Sequence, residues 1–241
     1  MSIYKELKEQ AWLANLELPK RGLVVYTFGN VSAFDKDRGV FAIKPSGIDY
    51  DKLSVDDMVI VDLDNNTVEG TFRYSSDTKT HSVLYKNFPE INGIVHTHST
   101  YSVAWAQACR SIPIYGTTHA DHLADDIPCT PVIDKVSVQG NYADETGKLI
   151  VKTFENKNLS YKKIQMVLVA RHGPFTWGET PEKAVYNSVI LEELAKMAQL
   201  TENIQKDVTR LEDWIITKHY ERKHGKNAYY GQNGSIEKGV K

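Results

Sequence analysis

A short apolar run at residues 91–95 ends directly in the triplet His96-Thr97-His98. Its length and composition are typical of a buried strand, so the chain has to fold around a sheet. Side chains two residues apart in a strand point to the same face, and we therefore expect the imidazoles of His96 and His98 to project together. Imidazole suits zinc and related divalent transition metals, although a histidine on an apolar element is more often a structural residue.

A second apolar run, at residues 166–170, leads to His172-Gly173-Pro174. The Gly-Pro pair predicts a sharp exit from the sheet, which places His172 at the mouth of a strand. A carboxylate could come from Asp77, at a predicted helix start. Three histidines and one carboxylate are a reasonable ligand set for a catalytic zinc ion. Whether the four side chains converge in space is left open by the sequence.

The charges of the chain are balanced, which excludes several classes of partner. Lys plus Arg is 29 and Asp plus Glu is 31, for a net charge of -2, so broad electrostatic binding to nucleic acid or to a membrane is not expected. The charged N-terminus does not resemble a signal peptide, and no window has the roughly 18 apolar residues of a membrane helix. Cys109 and Cys129 are expected as buried free thiols. We therefore expect a soluble, cytoplasmic protein.

Helix and strand signals alternate along the chain, which favours one α/β or α+β domain. The turn Asp64-Asn65-Asn66 predicts that the strands on either side of it, residues 58–62 and 67–69, are antiparallel. The predicted strands are residues 23–27, 31–33, 40–43, 58–62, 67–69, 91–95 and 166–170. The first predicted helix has Ile3, Leu7, Ala11, Ala14 and Leu18 on one face and is stopped by Pro19. A second is capped at Ser76 or Asp77 and runs to about Phe88. Further helices are predicted at residues 100–109, from Asp144, from Thr180-Pro181 to about Ala198, and around Val208, Leu211, Trp214 and Ile215.

Three further segments offer groups that suit a phosphate. Lys44-Pro45-Ser46-Gly47 follows a strand and supplies a cation, a hydroxyl and a close backbone approach. Ser75-Ser76 adds hydroxyls and free N–H groups at a helix start, and Gly29-Asn30 adds a side-chain amide. Each segment alone is more simply explained as a turn or a cap. Together they indicate a small phosphorylated ligand.

Two segments carry candidate proton-transfer groups. Asp121 lies in Gly116-Thr117-Thr118-His119-Ala120-Asp121 and is either a general acid or base or a helix cap. The basic segment 218–225 is followed by Tyr229-Tyr230-Gly231-Gln232, whose paired tyrosines indicate packing against another surface. The chain contains no Gly-x-Gly, so a dinucleotide fingerprint is missing.

From about Leu7 to Gln232, seven segments in order resemble the class II aldolase family. The matching segments are residues 27–32, 43–47, 75–78, 93–99, 116–121, 172–175, and 218–220 together with 230–232. Related aldolases typically carry a longer Glu where Asp77 stands, so the resemblance is greater to the epimerase branch, whose members interconvert L-ribulose 5-phosphate and D-xylulose 5-phosphate. It implies a three-layer α/β/α sandwich around a mixed, mostly antiparallel sheet, in a single domain over residues 1–232 followed by a disordered tail at 233–241.

The resemblance also implies roles for individual residues. Zinc, or another divalent transition metal, is expected on Asp77, His96, His98 and His172. The sugar phosphate is expected on Gly29, Asn30, Lys44, Ser46, Gly47, Ser75 and Ser76, with His219 and Arg222 from the C-terminal segment. Asp121 and Tyr230 resemble the two proton-transfer residues, and the tyrosine is expected from an adjacent subunit of a homotetramer. Arabinose and ascorbate catabolism both use such an enzyme.

The implied reaction inverts C4 of a ketopentose 5-phosphate. The C4 hydrogen is not adjacent to the C2 carbonyl, so simple deprotonation is not available, and a nicotinamide fingerprint is missing. Retro-aldol cleavage of C3–C4 is the remaining route, with zinc as Lewis acid and a proton-transfer group on each side of C4. Two alternatives remain: an aldolase that releases the fragments, and a structural domain of the adducin type with an inactive site.

Overall fold

The computed structural model describes residues 2–226 and 228 of the chain. The strands are β1 (Asn30–Asp35), β2 (Val40–Ile43), β3 (Val59–Asp62), β4 (Thr67–Glu69), β5 (Gly93–His96), β6 (Met166–Leu168) and β7 (Pro174–Gly178). They form one sheet in the order β4-β3-β2-β1-β5-β7-β6, and all six neighbouring pairs are antiparallel. An isolated parallel bridge joins Cys129 to Leu168 in β6.

Helices cover both faces of this sheet. They are α1 (Lys5–Lys20), α2 (Thr78–Asn87), α3 (Thr100–Gln107), α4 (Thr117–Ala120), α5 (Lys135–Gln139), α6 (Tyr142–Asn156), α7 (Pro181–Ile204) and α8 (Asp213–His224). Across residues 2–226 and 228, no helix combines the length and the apolar character that crossing a membrane requires.

Alternation along the strands divides the core into two layers of contacts. On one face, Phe41 and Ile94 pack with Leu84 of α2 and Phe154 of α6. On the other face, Val40, Ala42 and Ile60 pack with Leu7 and Ala11 of α1, and Val31 and Val95 pack with Val185 of α7. Burial of both faces explains why these strands are apolar throughout rather than alternating with polar residues. The arrangement confirms the predicted three-layer α/β/α sandwich.

Several predicted elements differ in detail. The first helix ends at Lys20, so Pro19 lies in its last turn, and Ile3 precedes the helix with 71% of its surface exposed. The strand predicted at residues 23–27 is wrong, because Tyr26 adopts a left-handed φ of 53° that breaks the extended backbone. The prediction that both thiols are buried is also wrong, since Cys109 is exposed and only Cys129 is buried.

The histidine that was expected at a strand mouth lies in a tight turn. β6 ends at Leu168, two residues earlier than predicted, and Leu168 pairs with Pro174 at the start of β7. Arg171 closes the turn with a φ of 60°. His172 is therefore at the tip of a hairpin, and the Gly-Pro pair leads into the next strand instead of ending the sheet.

The start of α7 packs directly against the central strand. The Thr180 hydroxyl accepts the N–H of Lys183, and Pro181 occupies the first turn, as the sequence predicted. A Cβ at Gly93 in β5 would lie 2.4 Å from the Cα of Pro181 and 2.6 Å from the carbonyl oxygen of Thr180. Only a residue without a side chain permits this approach, and both neighbouring groups are backbone that cannot rotate away.

The substitution Gly93→Ala is therefore expected to lower the free energy of unfolding by about 3 kcal/mol, because the added methyl group forces α7 away from β5. Urea unfolding followed by circular dichroism measures the change. Gly116→Ala is the matched control, since a Cβ there meets nothing within 4 Å and the backbone φ of -154° suits alanine. Equal urea midpoints for the two variants would contradict the close packing of Gly93 against Pro181.

Candidate active site

The antiparallel register brings the ends of four strands to one end of the sheet. His96, the last residue of β5, pairs with Asn30 at the start of β1 and with Phe175 at the start of β7. Lys44 follows directly after β2, whose last residue Ile43 pairs within β1. Residues that are distant in sequence thus become neighbours through strand pairing alone.

Three imidazoles converge at this end of the sheet. Ligand atoms of His96, His98 and His172 all lie within 4.8 Å of one another, and Nε2 of His98 is 3.0 Å from Nε2 of His96. His96 is 2% exposed and its ring stacks on Phe175 at a centroid distance of 4.3 Å. His172 is half-buried and His98 is exposed. The expectation that the rings of His96 and His98 project to the same place is confirmed, and the ring of His172 lies beside them.

The hydrogen bond of His96 fixes which nitrogen faces the cluster. Its Nδ1 is 2.9 Å from the carbonyl oxygen of Pro174, and a carbonyl can only accept, so Nδ1 carries the proton. The other ring nitrogen, Nε2, then faces Nε2 of His98. Although the residue His98 as a whole is exposed, its ring is partly desolvated, and this, with a contribution from His96, lowers the pKa of His98. Burial and His96 lower the pKa of His172 to about 4. Both rings are neutral at pH 7, which is the form that binds metals.

The carboxylate of Asp77 lies in the same cavity, beside this trio. Its Oδ2 accepts a 2.8 Å hydrogen bond from Nδ2 of Asn30, which also donates to the hydroxyl of Ser75 at 3.1 Å. Burial acts to raise the pKa of Asp77, but the nearby imidazoles, His96 foremost, hold it below its usual value. Asp77 is therefore ionised, and it is oriented by the same asparagine whose buried Oδ1 has no hydrogen-bond partner among residues 2–226 and 228.

These side chains line a cavity of about 440 Å³, a size suited to a small metabolite. The candidates that line it are Gly29, Asn30, Lys44, Ser46, Gly47, Ser75, Ser76, Asp77, His96, His98 and His172. Gly29 approaches β5 closely, because a Cβ there would lie 2.8 Å from the carbonyl oxygen of His96, and its φ is +75°. The chain's predicted phosphate groups and predicted metal ligands thus face one space.

Lys44 brings a buried cation to this cavity. Only 1% of its surface is exposed, and burial lowers its pKa to about 8. Its Nζ is 3.4 Å from the carbonyl oxygen of Pro45 and 4.8 Å from the ring centroid of Tyr50. Among the described residues, no carboxylate forms an ion pair with it. A buried ammonium in this setting favours an anionic ligand, which would restore its full charge.

Asp121 belongs to a second cluster. Its Oδ1 accepts from Nδ1 of His219 at 2.9 Å, and its Oδ2 accepts from a terminal nitrogen of Arg222 at 2.7 Å, with Lys223 at 3.7 Å. Burial acts to raise the pKa of Asp121, but these α8 side chains hold it below its usual value. None of the described residues that line the cavity comes from this cluster. Tyr230 and the tail 233–241 lie outside the described residues.

One residue of the cavity wall and one buried residue of α2 escaped the sequence argument. Tyr142, the first residue of α6, lines the cavity, and its hydroxyl is 3.3 Å from Nδ1 of His172. Only tertiary folding brings them together, so no spacing pointed to the tyrosine. His81 is fully buried, and its Nδ1 is 2.7 Å from the hydroxyl of Ser32. It follows Asp77 by one helical turn, an i, i+4 spacing that could have indicated it.

The donor atoms present fit a transition-metal ion. Two Nε2 atoms only 3.0 Å apart favour a shared cation or proton, because facing lone pairs repel. A third imidazole adds another nitrogen ligand of the kind that zinc accepts. The ionised carboxylate of Asp77 lines the same cavity, but it does not belong to the group whose ligand atoms lie within 4.8 Å of one another. The His96, His98 and His172 cluster can therefore hold a metal ion.

Known proteins resemble this chain over most of its length. The family model described as "Class II Aldolase and Adducin N-terminal domain" matches residues 9–199. The chain belongs to this family. L-ribulose-5-phosphate 4-epimerase UlaF of Salmonella paratyphi C (strain RKS4594) is 49% identical over 228 residues, which cover 95% of this chain and 99% of that protein. The protein of the same name from Salmonella typhi is 48% identical over the same shares of the two chains.

Solved structures of the family share the fold. An L-fuculose 1-phosphate aldolase superposes with a TM-score of 0.76 at 24% identity, covering 92% of this chain and 97% of its own. The L-fuculose 1-phosphate aldolase from Glaciozyma antarctica PI12 gives a TM-score of 0.72 at 19% identity, covering 90% and 81%. At these identities the likeness establishes the architecture alone.

The lowered pKa of Lys44 makes anion binding depend on pH. Below pH 8 the ammonium is charged and attracts an anion, and above pH 8 the free protein loses that charge. The affinity for sulfate, whose own charge is constant here, should fall about tenfold between roughly pH 7 and 9. Isothermal titration calorimetry measures it.

Two variants control this measurement. Lys44→Met should bind sulfate weakly at every pH, whereas Lys52→Met, which removes an exposed lysine paired with Asp49, should keep the step near pH 8. If the sulfate affinity of the wild type does not change with pH, Lys44 takes no part in anion binding.

Proposed function

We propose that the chain is an L-ribulose-5-phosphate 4-epimerase, which interconverts L-ribulose 5-phosphate and D-xylulose 5-phosphate by cleaving and re-forming C3–C4. The observation that carries the proposal is the meeting of three imidazoles and a buried cation in one cavity of about 440 Å³. Relatives 49% identical over 95% of the chain bear this name. The reaction needs both features, because one part of the substrate is a carbonyl to be polarised and the other is a phosphate.

We propose Zn²⁺ as the metal, with His96, His98, His172 and Asp77 as the residues that hold it. Zinc bound there supplies a Lewis acid for the negative charge that develops on the substrate when C3–C4 breaks. The protein's own contribution is orientation: Pro174 anchors the ring of His96 and Asn30 anchors the carboxylate of Asp77. Anchored ligands keep the lone pairs aimed at one point before the ion arrives.

The phosphate is assigned to the cationic side of the same cavity. Lys44 supplies the charge, and the hydroxyls of Ser46, Ser75 and Ser76 supply neutral donors beside it. Cleavage of the ketopentose phosphate yields an enediolate and glycolaldehyde phosphate, and the aldehyde has to turn before the bond re-forms on its other face. Holding the phosphate retains this fragment, so remote binding energy separates an epimerase from an aldolase.

We assign proton transfer at the C4 oxygen to Asp121 and Tyr230. The pKa of Asp121 is held below its usual value, so the carboxylate is ionised at neutral pH and able to accept a proton. Asp121, His219 and Arg222 form a cluster that does not line the cavity of their own chain. This placement supports sites that are shared between subunits, and we propose a homotetramer in which the cluster and Tyr230 of one subunit complete the cavity of the next.

An aldolase that releases its fragments is the closest alternative. Both reactions share the first cleavage, so the fold does not distinguish them. The short carboxylate of Asp77, fixed by Asn30, favours a residue that orients the site over a mobile base. We further propose that residues 1–232 act as one domain. We assign the enzyme to the cytoplasm because charged sugar phosphates do not cross membranes freely.

The assay that tests this function supplies L-ribulose 5-phosphate to purified protein and follows D-xylulose 5-phosphate by coupled detection. We expect turnover that chelator abolishes and Zn²⁺ restores. The variant His98→Asn should lose metal and at least a hundredfold in kcat/KM, because a ligand is removed. His122→Asn, outside the cavity, is the control for removal of an imidazole. Net release of glycolaldehyde phosphate would favour the aldolase, and turnover unaffected by metal would overturn the assignment.

Sharing of sites between subunits has its own test. Asp121→Asn and His98→Asn should each be nearly inactive alone, with Asp121→Asn retaining its metal. Unfolding the two variants together and refolding them should restore about a quarter or less of wild-type activity, because some cavities then pair an intact His98 with an intact Asp121 from a neighbour. Tyr230→Phe replaces Asp121→Asn in a second mixture. If verified mixed oligomers recover no activity, Asp121 and Tyr230 act in the cavity of their own subunit and not in that of a neighbour.

A further inference from the structure

Tyr142 makes a contact that none of the roles above requires. Its hydroxyl oxygen is 3.3 Å from Nδ1 of His172, and the two rings are 5.9 Å apart at their centroids. It lines the cavity from the first residue of α6. Burial raises the pKa of Tyr142, so the hydroxyl keeps its proton at neutral pH.

The contact has two hydrogen-bond polarities, and the cluster selects one. A neutral imidazole has one N–H and one lone pair, so an Nδ1 that accepts from the tyrosine would leave N–H at Nε2. An Nδ1 that donates to the tyrosine oxygen leaves the lone pair at Nε2. His96 already shows the second pattern, with Nδ1 donating to the carbonyl oxygen of Pro174. A ring that holds a cation through Nε2 requires the same pattern at His172.

We propose that Tyr142 is a positioning residue for the metal site: its hydroxyl accepts the Nδ1 proton of His172 and thereby fixes the ring orientation and tautomer that present Nε2 to the ion. The inference rests on the metal site of the proposed function. Because Tyr142 also lines the cavity, its hydroxyl lies between His172 and the space that the substrate of the proposed reaction would occupy.

Removal of the single hydroxyl oxygen tests the proposal. Tyr142→Phe retains the ring, so packing is preserved, but His172 loses its acceptor. The affinity for Zn²⁺, measured by competition with a chromogenic chelator, should fall about tenfold or more. Tyr186→Phe is the matched control, since the Tyr186 hydroxyl lies 3.5 Å from Nδ1 of His122 and the two tyrosines are 44% and 39% exposed. The control should bind Zn²⁺ like the wild type.

A second measurement needs no variant. Selective ¹⁵N labelling of histidine should show His172 of the zinc-loaded protein with its proton on Nδ1 and its Nε2 shifted by the metal. Unchanged Zn²⁺ affinity in Tyr142→Phe, an equal loss in both variants, or metal on Nδ1 of His172 would each overturn the inference. Because metal affinity is read without substrate, an affinity that depends on Tyr142 upholds the inference even where L-ribulose 5-phosphate is not turned over.

Discussion

His96 is held from three directions, and the rest of the site is arranged around it. Strand pairing fixes its backbone against Asn30 and Phe175, and the carbonyl oxygen of Pro174 fixes its ring. A slip of β5 by one residue would turn the ring to the α7 side of the sheet. The same slip would break the contact between Gly93 and Pro181. The contact of Gly93 with Pro181 at one end of β5 therefore fixes the register that orients the ring of His96 at the other end.

The site concentrates polar groups where a stable core would place apolar ones. Lys44, Asn30 and His81 are each at most 2% exposed, and Asn30 and His81 carry a side-chain atom without a partner among the described residues. Each such group costs free energy on folding. The apolar layers on both faces of the sheet offset this cost. The arrangement trades stability for preorganised charge.

The sequence predicted most of the elements, because hydrophobic runs and caps are local signals. It identified His96 and His98 through the two-residue repeat of a strand, and it identified the start of α7 through Thr180-Pro181. It failed where backbone conformation departs from the apolar pattern, as at Tyr26, whose left-handed φ ends a predicted strand. Local patterns also could not reveal Tyr142, because its relation to His172 exists only after α6 has packed.

The separation of Asp121 from the cavity could not have been predicted either. Sequence order places Asp121 between the segments that build the site, yet it folds against His219 and Arg222 of α8. Resemblance to the class II aldolase family suggested a role for Asp121, but only the structure gives its distance from the other residues.

The three imidazoles differ greatly in exposure, and this difference has a kinetic consequence. His96 is clamped between Phe175 and the carbonyl oxygen of Pro174, whereas His98 faces solvent after the end of its strand. An ion held by the cluster would be closed off from solvent on the side of His96 and open to solvent on the side of His98. Exchange of a bound ion would therefore proceed past His98.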